Sequence, residues 1–197
     1  MRRVSVVGGS CTGKTTLARE LARRLGVPHV ELDALHHGPN WEEAPAGVLR
    51  ARVEEALAGA PDGWVVDGNY HGKLGTVVQE RADTVVFLDL PFGLTLRRVL
   101  RRTARRVAGG EELWHGNRET LRNSLTRDSI VWWVVKTHHS HRAKWPERFS
   151  ALPHLDVVRL RSPREVEEFL QSIQPTETTS GSSSGSERQN TPPFVET

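Results

Sequence analysis

Residues 8–15 read Gly-Gly-Ser-Cys-Thr-Gly-Lys-Thr, a complete G-x-x-x-x-G-K-[ST] pattern. Successive glycines let a backbone turn its N–H groups inward around anionic oxygens. Lys14 is placed to reach β- and γ-phosphates, and the Thr15 hydroxyl to ligate Mg²⁺. The expected phosphate cradle is therefore Gly8, Gly9, Ser10, Cys11, Thr12, Gly13, Lys14, Thr15 and Thr16. Cys11 takes one of the variable positions and reads as a tolerated small residue. The pattern follows an apolar run and opens an amphipathic one, so the helix behind it directs its positive dipole end at the bound anion.

Three aspartates sit at the ends of apolar runs: Asp33 in "VELDALHH", Asp67 in "WVVDGNY" and Asp89 in "VFLDLPF". Open parallel sheets bind ligands at the carboxyl ends of their strands, where all three would lie. A second acidic group is needed beside Mg²⁺, and Asp67 is the candidate, with Gly68 letting the chain leave the strand tightly. Asp33 follows the second run, where a phosphate acceptor enters, and is the candidate for orienting or deprotonating a hydroxyl. Each aspartate also suits the plainer task of capping a turn. Trp41, just past "HHGPN", either walls the acceptor pocket or packs as an ordinary aromatic.

"LRRVLRRTARR" at 96–106 carries six arginines at helical spacing. Arg97, Arg101 and Arg105 share one face; Arg98, Arg102 and Arg106 share the adjacent one. Arg97 and Arg101 are the candidates for stabilising charge during transfer, and the rest read as solvated surface. The stretch 111–145 has helical segments and no strand of the sheet, as expected of a lid with supporting helices, about 109–145. Arg118, Arg122 and Arg127 would arrive on closure. His138, His139 and His141 read as a solvent-facing cluster, and Trp132 and Trp133 as core.

These residues need a scaffold that brings distant segments to one edge. Val-rich runs at 3–7, 28–32, 63–67, 83–89 and 155–160 predict five strands, not cleanly alternating, as in a parallel sheet covered on both faces. Leu17, Leu21 and Leu25 mark a helix stopped by Gly26 and Pro28; Leu49, Val53 and Leu57 mark a second. Ser162 and Glu165 form a capping box with Pro163 at the first helical position, and Val166, Phe169, Leu170 and Ile173 form the buried face behind it. The alternation predicts a three-layer α/β/α domain over 1–173. From Gln174 the chain turns to Ser, Thr, Gly, Pro and Glu, a composition expected to stay disordered through 197.

At 197 residues, with 37% hydrophobic and 26% charged residues, the chain suits one globular domain. One cysteine excludes an intramolecular disulfide and a cysteine-based zinc site. No run approaches the roughly 20 apolar residues of a membrane span. The basic N-terminus lacks a cleavage-like site, so no secretory signal and a cytoplasmic setting are expected. A net charge of +3 permits a nucleic-acid partner without requiring one. The oligomeric state is left open.

The order "GGSCTGKTT", "LDALHHGPNW", "WVVDGNY", "ADTVVFLDLP", "RRVLRRTARR", "GNRETL", "RDSI" and "VVRLRSPREV" resembles the small P-loop kinase-like ATPases of bacteria, often labelled adenylate kinase or DNA topology modulation protein. The resemblance spans about residues 3 to 172. It implies a P-loop NTPase fold with an adenylate-kinase-like core, ATP and Mg²⁺ as cofactors, and adenine near Arg161-Ser162-Pro163. It also implies lid-helix roles for Arg97 and Arg101, and an acceptor-side role for Asp33. The strand-three motif of adenylate kinase continues Asp-Gly-Phe-Pro-Arg, whereas this chain has Asp67-Gly68-Asn69-Tyr70-His71. "VELDALHHGPNW" likewise replaces the AMP segment, which argues against AMP as acceptor. The expectation is a kinase that transfers the ATP γ-phosphate to a small hydroxylated or nucleotide-like acceptor. The alternative is an ATP-binding regulator whose basic helix contacts nucleic acid; 24 acidic residues against 27 basic ones, and no recognised nucleic-acid module, argue against it.

Overall fold

Each apolar run becomes a strand, because valine packs well on a pleated surface; the three central strands are buried and the two edge strands are partly exposed. The computed structural model describes residues 1–109 and 130–174. Its strands are β1 (Arg3–Gly8), β2 (His29–Glu31), β3 (Trp64–Asp67), β4 (Thr84–Leu88) and β5 (Asp156–Leu160). They form one parallel sheet in the order β2-β3-β1-β4-β5. β1 is central, with Val6 beside Asp67 on one flank and Gly8 beside Leu88 on the other.

Between the strands run α1 (Lys14–Leu25), α2 (Leu32–His36), a 3₁₀ turn at Pro39–Trp41, α3 (Ala46–Ala58), α4 (His71–Leu74), α5 (Val77–Arg81), α6 (Phe92–Gly109), α7 (Ile130–Ser150) and α8 (Pro163–Ser172). The expected three layers are present. On one face Val4, Val6, Val65 and Val86 meet Leu17 and Leu21 of α1, with Val166, Phe169 and Leu170 of α8 alongside. The other face carries two clusters. Leu49, Val53 and Leu57 of α3 cover Trp64 and Val66, while Trp145 and Phe149 of α7 cover Val7, Val85 and Phe87. Leu21 is fully buried, so its truncation to alanine costs about 2–5 kcal/mol.

Helix ends follow the sequence signals. Gly26 closes α1 in the left-handed conformation, φ 64°. At α8 the Glu165 N–H donates to Ser162 Oγ at 3.2 Å, and Glu165 returns the bond to the Arg161 N–H at 2.8 Å. The box therefore closes one residue earlier than its usual form.

The stretch after α6 departs from expectation in several respects. α7 is one helix of 21 residues whose C-terminal half packs on the sheet through Trp145 and Phe149, so it belongs to the core layer. Trp132 is 51% exposed, contrary to its reading as core. His138 is buried rather than solvent-facing, its ring set edge-on to Phe92 at 5.2 Å. Arg118, Arg122, Arg127 and the tail at 175–197 lie outside the described residues, as do the side chains of Arg106, Trp133, His139 and His141. Among the described residues no helix is long and apolar enough to cross a membrane.

Candidate active site

The site is built on β1, whose carboxyl end runs directly into the glycine-bounded loop. Gly8 has φ 151°, and a Cβ there would stand 2.7 Å from the Leu88 carbonyl oxygen. Only glycine lets β1 pass β4 this closely while it turns. The loop then closes on itself: the Thr12 N–H and Oγ1 both donate to the Gly9 carbonyl, at 3.5 and 2.8 Å. Cys11 (φ 62°) and Gly13 (φ 100°) hold left-handed backbone within the same turn. α1 begins after Gly13 with no side-chain cap, which leaves its first N–H groups directed towards an anion. Thr16 is exposed in the first turn of α1.

Lys14 folds back so that Nζ donates to the Gly9 carbonyl at 2.9 Å. Removal from water holds its ammonium below the usual lysine range, with Asp33 and Asp67 opposing that shift and Arg102 adding to it. Two acids and one further cation thus act on the charge of the loop lysine. A triphosphate entering here would meet a lysine already desolvated, whose charge interacts strongly with phosphate oxygens.

The four residues from the end of β3, Asp67 to Tyr70, reach three different parts of the site. Asp67, 3% exposed, accepts from Thr15 Oγ1 at Oδ2, 2.6 Å away. Gly68 (φ 137°) passes α2 so tightly that a Cβ would stand 2.7 Å from Leu32 Cβ. The Asn69 amide pairs with Gly8 as another backbone would: its Oδ1 accepts from the Gly8 N–H at 3.3 Å, and its Nδ2 donates to the Gly8 carbonyl. Tyr70 donates its hydroxyl to Asp33 Oδ1 at 2.7 Å. Burial and the Asp33 charge push the Tyr70 phenol far above its ordinary value, so it remains a donor.

Asp33 lies within α2, in an aromatic and imidazole-rich wall. His37 Nε2 is 3.4 Å from the Tyr70 hydroxyl, and the His36 and Tyr70 rings lie 4.5 Å apart. Burial, then the nearby Lys73, hold the His36 imidazolium below its usual range. Trp41 meets His37 edge-on at 5.5 Å, and both Asn40 and Trp41 take left-handed backbone, φ 55° and 60°. For a tryptophan that conformation costs on the order of 1–3 kcal/mol, and such strain concentrates at ligand-facing segments.

The arginine helix turns a different face inward from the one expected. Thr95, Val99 and Thr103 are buried, which fixes the inner side of α6. At about 100° per residue, Arg97 and Arg101 point roughly 160° away from that side, and both are exposed. Arg98 instead donates to the Thr12 carbonyl at 2.7 Å, and Arg102 lies near enough to Lys14 to act on its charge. Arg102 Nε is buried without a hydrogen-bond partner. The loop-side cations are therefore Arg98 and Arg102. Asp89 accepts at Oδ2 from Arg159 of β5 at 2.9 and 2.6 Å.

Sequence reasoning assigned no role to Asn69 or Tyr70, although both stand directly behind Asp67-Gly68. His29, whose Nε2 lies 3.0 Å from Asp67 Oδ1, gave no local signal at all.

A hydroxyl and a carboxylate 2.6 Å apart, both hard oxygen donors beside a phosphate loop, fit Mg²⁺. Among the described residues no group of three or more His, Cys, Asp or Glu side chains is arranged to hold a metal.

Strand order and the glycine-bounded loop together define a three-layer α/β fold of the P-loop type. The AAA domain family model matches residues 3–35, from β1 through the loop and α1 into α2. Shikimate kinase from Bacteroides thetaiotaomicron shares the fold at a TM-score of 0.52 and 15% identity, covering 87% of this chain and 96% of its own. Shikimate kinase from Acinetobacter baumannii in complex with shikimate aligns at a TM-score of 0.49 and 14% identity, covering 88% of this chain and 90% of its own. At such identities the likeness is one of fold. No curated protein matches the sequence significantly.

Proposed function

We propose that the protein is a phosphotransferase that moves the γ-phosphate of ATP to a hydroxyl of a small acceptor other than AMP. The observation that carries this reading is that two acids from separate elements are held by one segment and its phosphate loop: Asp67 at the end of β3 accepts from Thr15 Oγ1 at 2.6 Å, and Asp33 in α2 accepts from the Tyr70 hydroxyl at 2.7 Å. A site that only held a nucleotide would need the first. The second, oriented by Tyr70 in an open aromatic wall, supplies a group for a second reactant.

In this reading the loop from Gly8 to Thr16 cradles the phosphates, and Lys14 leaves the Gly9 carbonyl to bind the transferring group. Arg98 and Arg102, rather than Arg97 and Arg101, supply further positive charge. Thr15 and Asp67 would hold Mg²⁺, which neutralises phosphate charge when bound. Asp33 orients the acceptor hydroxyl and takes its proton as the new O–P bond forms and ADP leaves with the electrons of the broken bond. Most of the rate comes from positioning and electrostatics.

The test is ADP release with ATP and Mg²⁺ across nucleosides, nucleoside monophosphates and small hydroxy compounds. Acceptor-stimulated turnover is expected, lost in Lys14→Ala. In Asp33→Asn, ATP binding should persist while acceptor stimulation falls by about 10²-fold or more. Silence across the panel in a protein that still binds ATP refutes the proposal.

A further inference from the structure

Asp67 is gripped at both carboxylate oxygens, and the grips come from different elements. Thr15 on α1 donates to Oδ2 at 2.6 Å, while His29 of β2 stands with Nε2 3.0 Å from Oδ1. With Asp67 3% exposed, bulk water cannot replace either partner. A metal-ligating carboxylate is ionised and only accepts, so the His29 Nε2 must carry the hydrogen in this contact.

The second grip has a geometric effect that the first cannot supply. The terminal torsion of an aspartate is broad and roughly two-fold, so one bond at Oδ2 leaves the carboxylate plane free to swing. Holding Oδ1 from the β2 side fixes that plane. β2 is well placed to do so: Glu31 lies opposite Asp67 in the parallel register, and His29, two residues earlier, is on the same side of the sheet.

We infer that His29 is a positioning residue which, by holding Asp67 Oδ1, aims Oδ2 at α1 and sets the affinity of the Thr15–Asp67 pair for Mg²⁺. This rests on the proposed reading of that pair as the metal site. Removing an outer partner of a metal ligand typically weakens metal binding about 10–100-fold. A purely structural histidine would affect stability alone.

The experiment compares the full chain with His29→Leu, His29→Gln and His29→Asn, using a fluorescent ATP analogue. Analogue affinity is measured in excess chelator, and then the Mg²⁺ concentration for half-maximal response is measured at fixed analogue. In chelator all variants should bind within about twofold of the parent, because the phosphate loop is untouched. The Mg²⁺ half-point should rise about 10–100-fold in His29→Leu. His29→Gln, whose amide can donate to Oδ1, should return it to within about threefold. His29→Asn, too short to reach, should behave like leucine, and serves in its place if the leucine variant does not fold. A folded leucine or asparagine variant with the parental Mg²⁺ half-point overturns the positioning role alone. A parent whose nucleotide binding ignores Mg²⁺ overturns the metal-site reading and this role with it.

Discussion

Gly68→Ala tests the packing that brings α2 against the segment leaving β3. The added Cβ would meet Leu32 Cβ at 2.7 Å, Cδ1 at 3.1 Å and Cγ at 3.2 Å. Comfortable carbon–carbon contact lies near 3.5–4.0 Å, so about 1 Å must open. Leu32 cannot yield cheaply, because it is 3% exposed and begins α2. Overpacking of this kind costs about 1–3 kcal/mol. The φ of 137° adds about 1–3 kcal/mol for any residue with a side chain. The sum, about 2–6 kcal/mol, is a large share of a typical domain stability of roughly 5–15 kcal/mol. With a urea m-value of about 2 kcal/mol/M, the unfolding midpoint should fall by roughly 1–3 M. Gly72→Ala and Gly93→Ala are matched controls, since a Cβ at either meets nothing within 4 Å. Both lie in helices, where alanine stabilises by about 0.5–1 kcal/mol relative to glycine. A Gly68→Ala midpoint within about 0.3 M of the controls would falsify the close-approach argument.

Arg98→Ala should weaken nucleotide binding by about tenfold while Arg97→Ala stays within twofold, as read by titration with an ATP analogue; equal effects would show that α6 presents its outer face during binding. Asn69→Ala removes two bonds to the Gly8 peptide, and should cost about 1–3 kcal/mol in denaturant unfolding together with looser nucleotide binding. The His36 imidazole has a folded-state pKa below its unfolded value, so the unfolded chain takes up the proton first. Stability should be fully present above about pH 6.5 and decline as pH falls below it. His36→Gln should flatten that decline in urea midpoints measured between pH 7.5 and 5, and an unchanged slope would show that another group governs it.

The scaffold was legible because its signals are local. Four of the five strands announce themselves through adjacent valines, and α1 and α3 through leucines and a valine one turn apart. The loop is legible for the same reason, since its eight positions are consecutive. What failed depends on partners remote in sequence. Asn69 meets Gly8 across 61 residues, Tyr70 meets Asp33 across 37, and His29 meets Asp67 across 38. No periodicity in the chain records such pairs. The orientation of α6 was missed for a different reason: two of its inward residues are Thr95 and Thr103, which do not look like core. Leu100, an apolar residue of the same helix, is 51% exposed. Hydroxyls that satisfy themselves inside a helix, as Thr95 does on the Pro91 carbonyl at 3.2 Å, pack like small apolar groups and mislead a reading by polarity.

The segment from Asp67 to Tyr70 works as a common datum, in the surveyor's sense. α1, the phosphate loop and α2 are each located by a contact to the same four residues, through Thr15, Gly8 and Asp33, so errors in placing one are not passed to the next. A chain referenced in this way can exchange its acceptor wall for another without retuning its nucleotide end, provided the Tyr70 hydroxyl still finds a carboxylate in α2. On the proposed reading, diversification of acceptors would then be confined to the stretch between Ala34 and Trp41, where Asn40 and Trp41 take left-handed backbone.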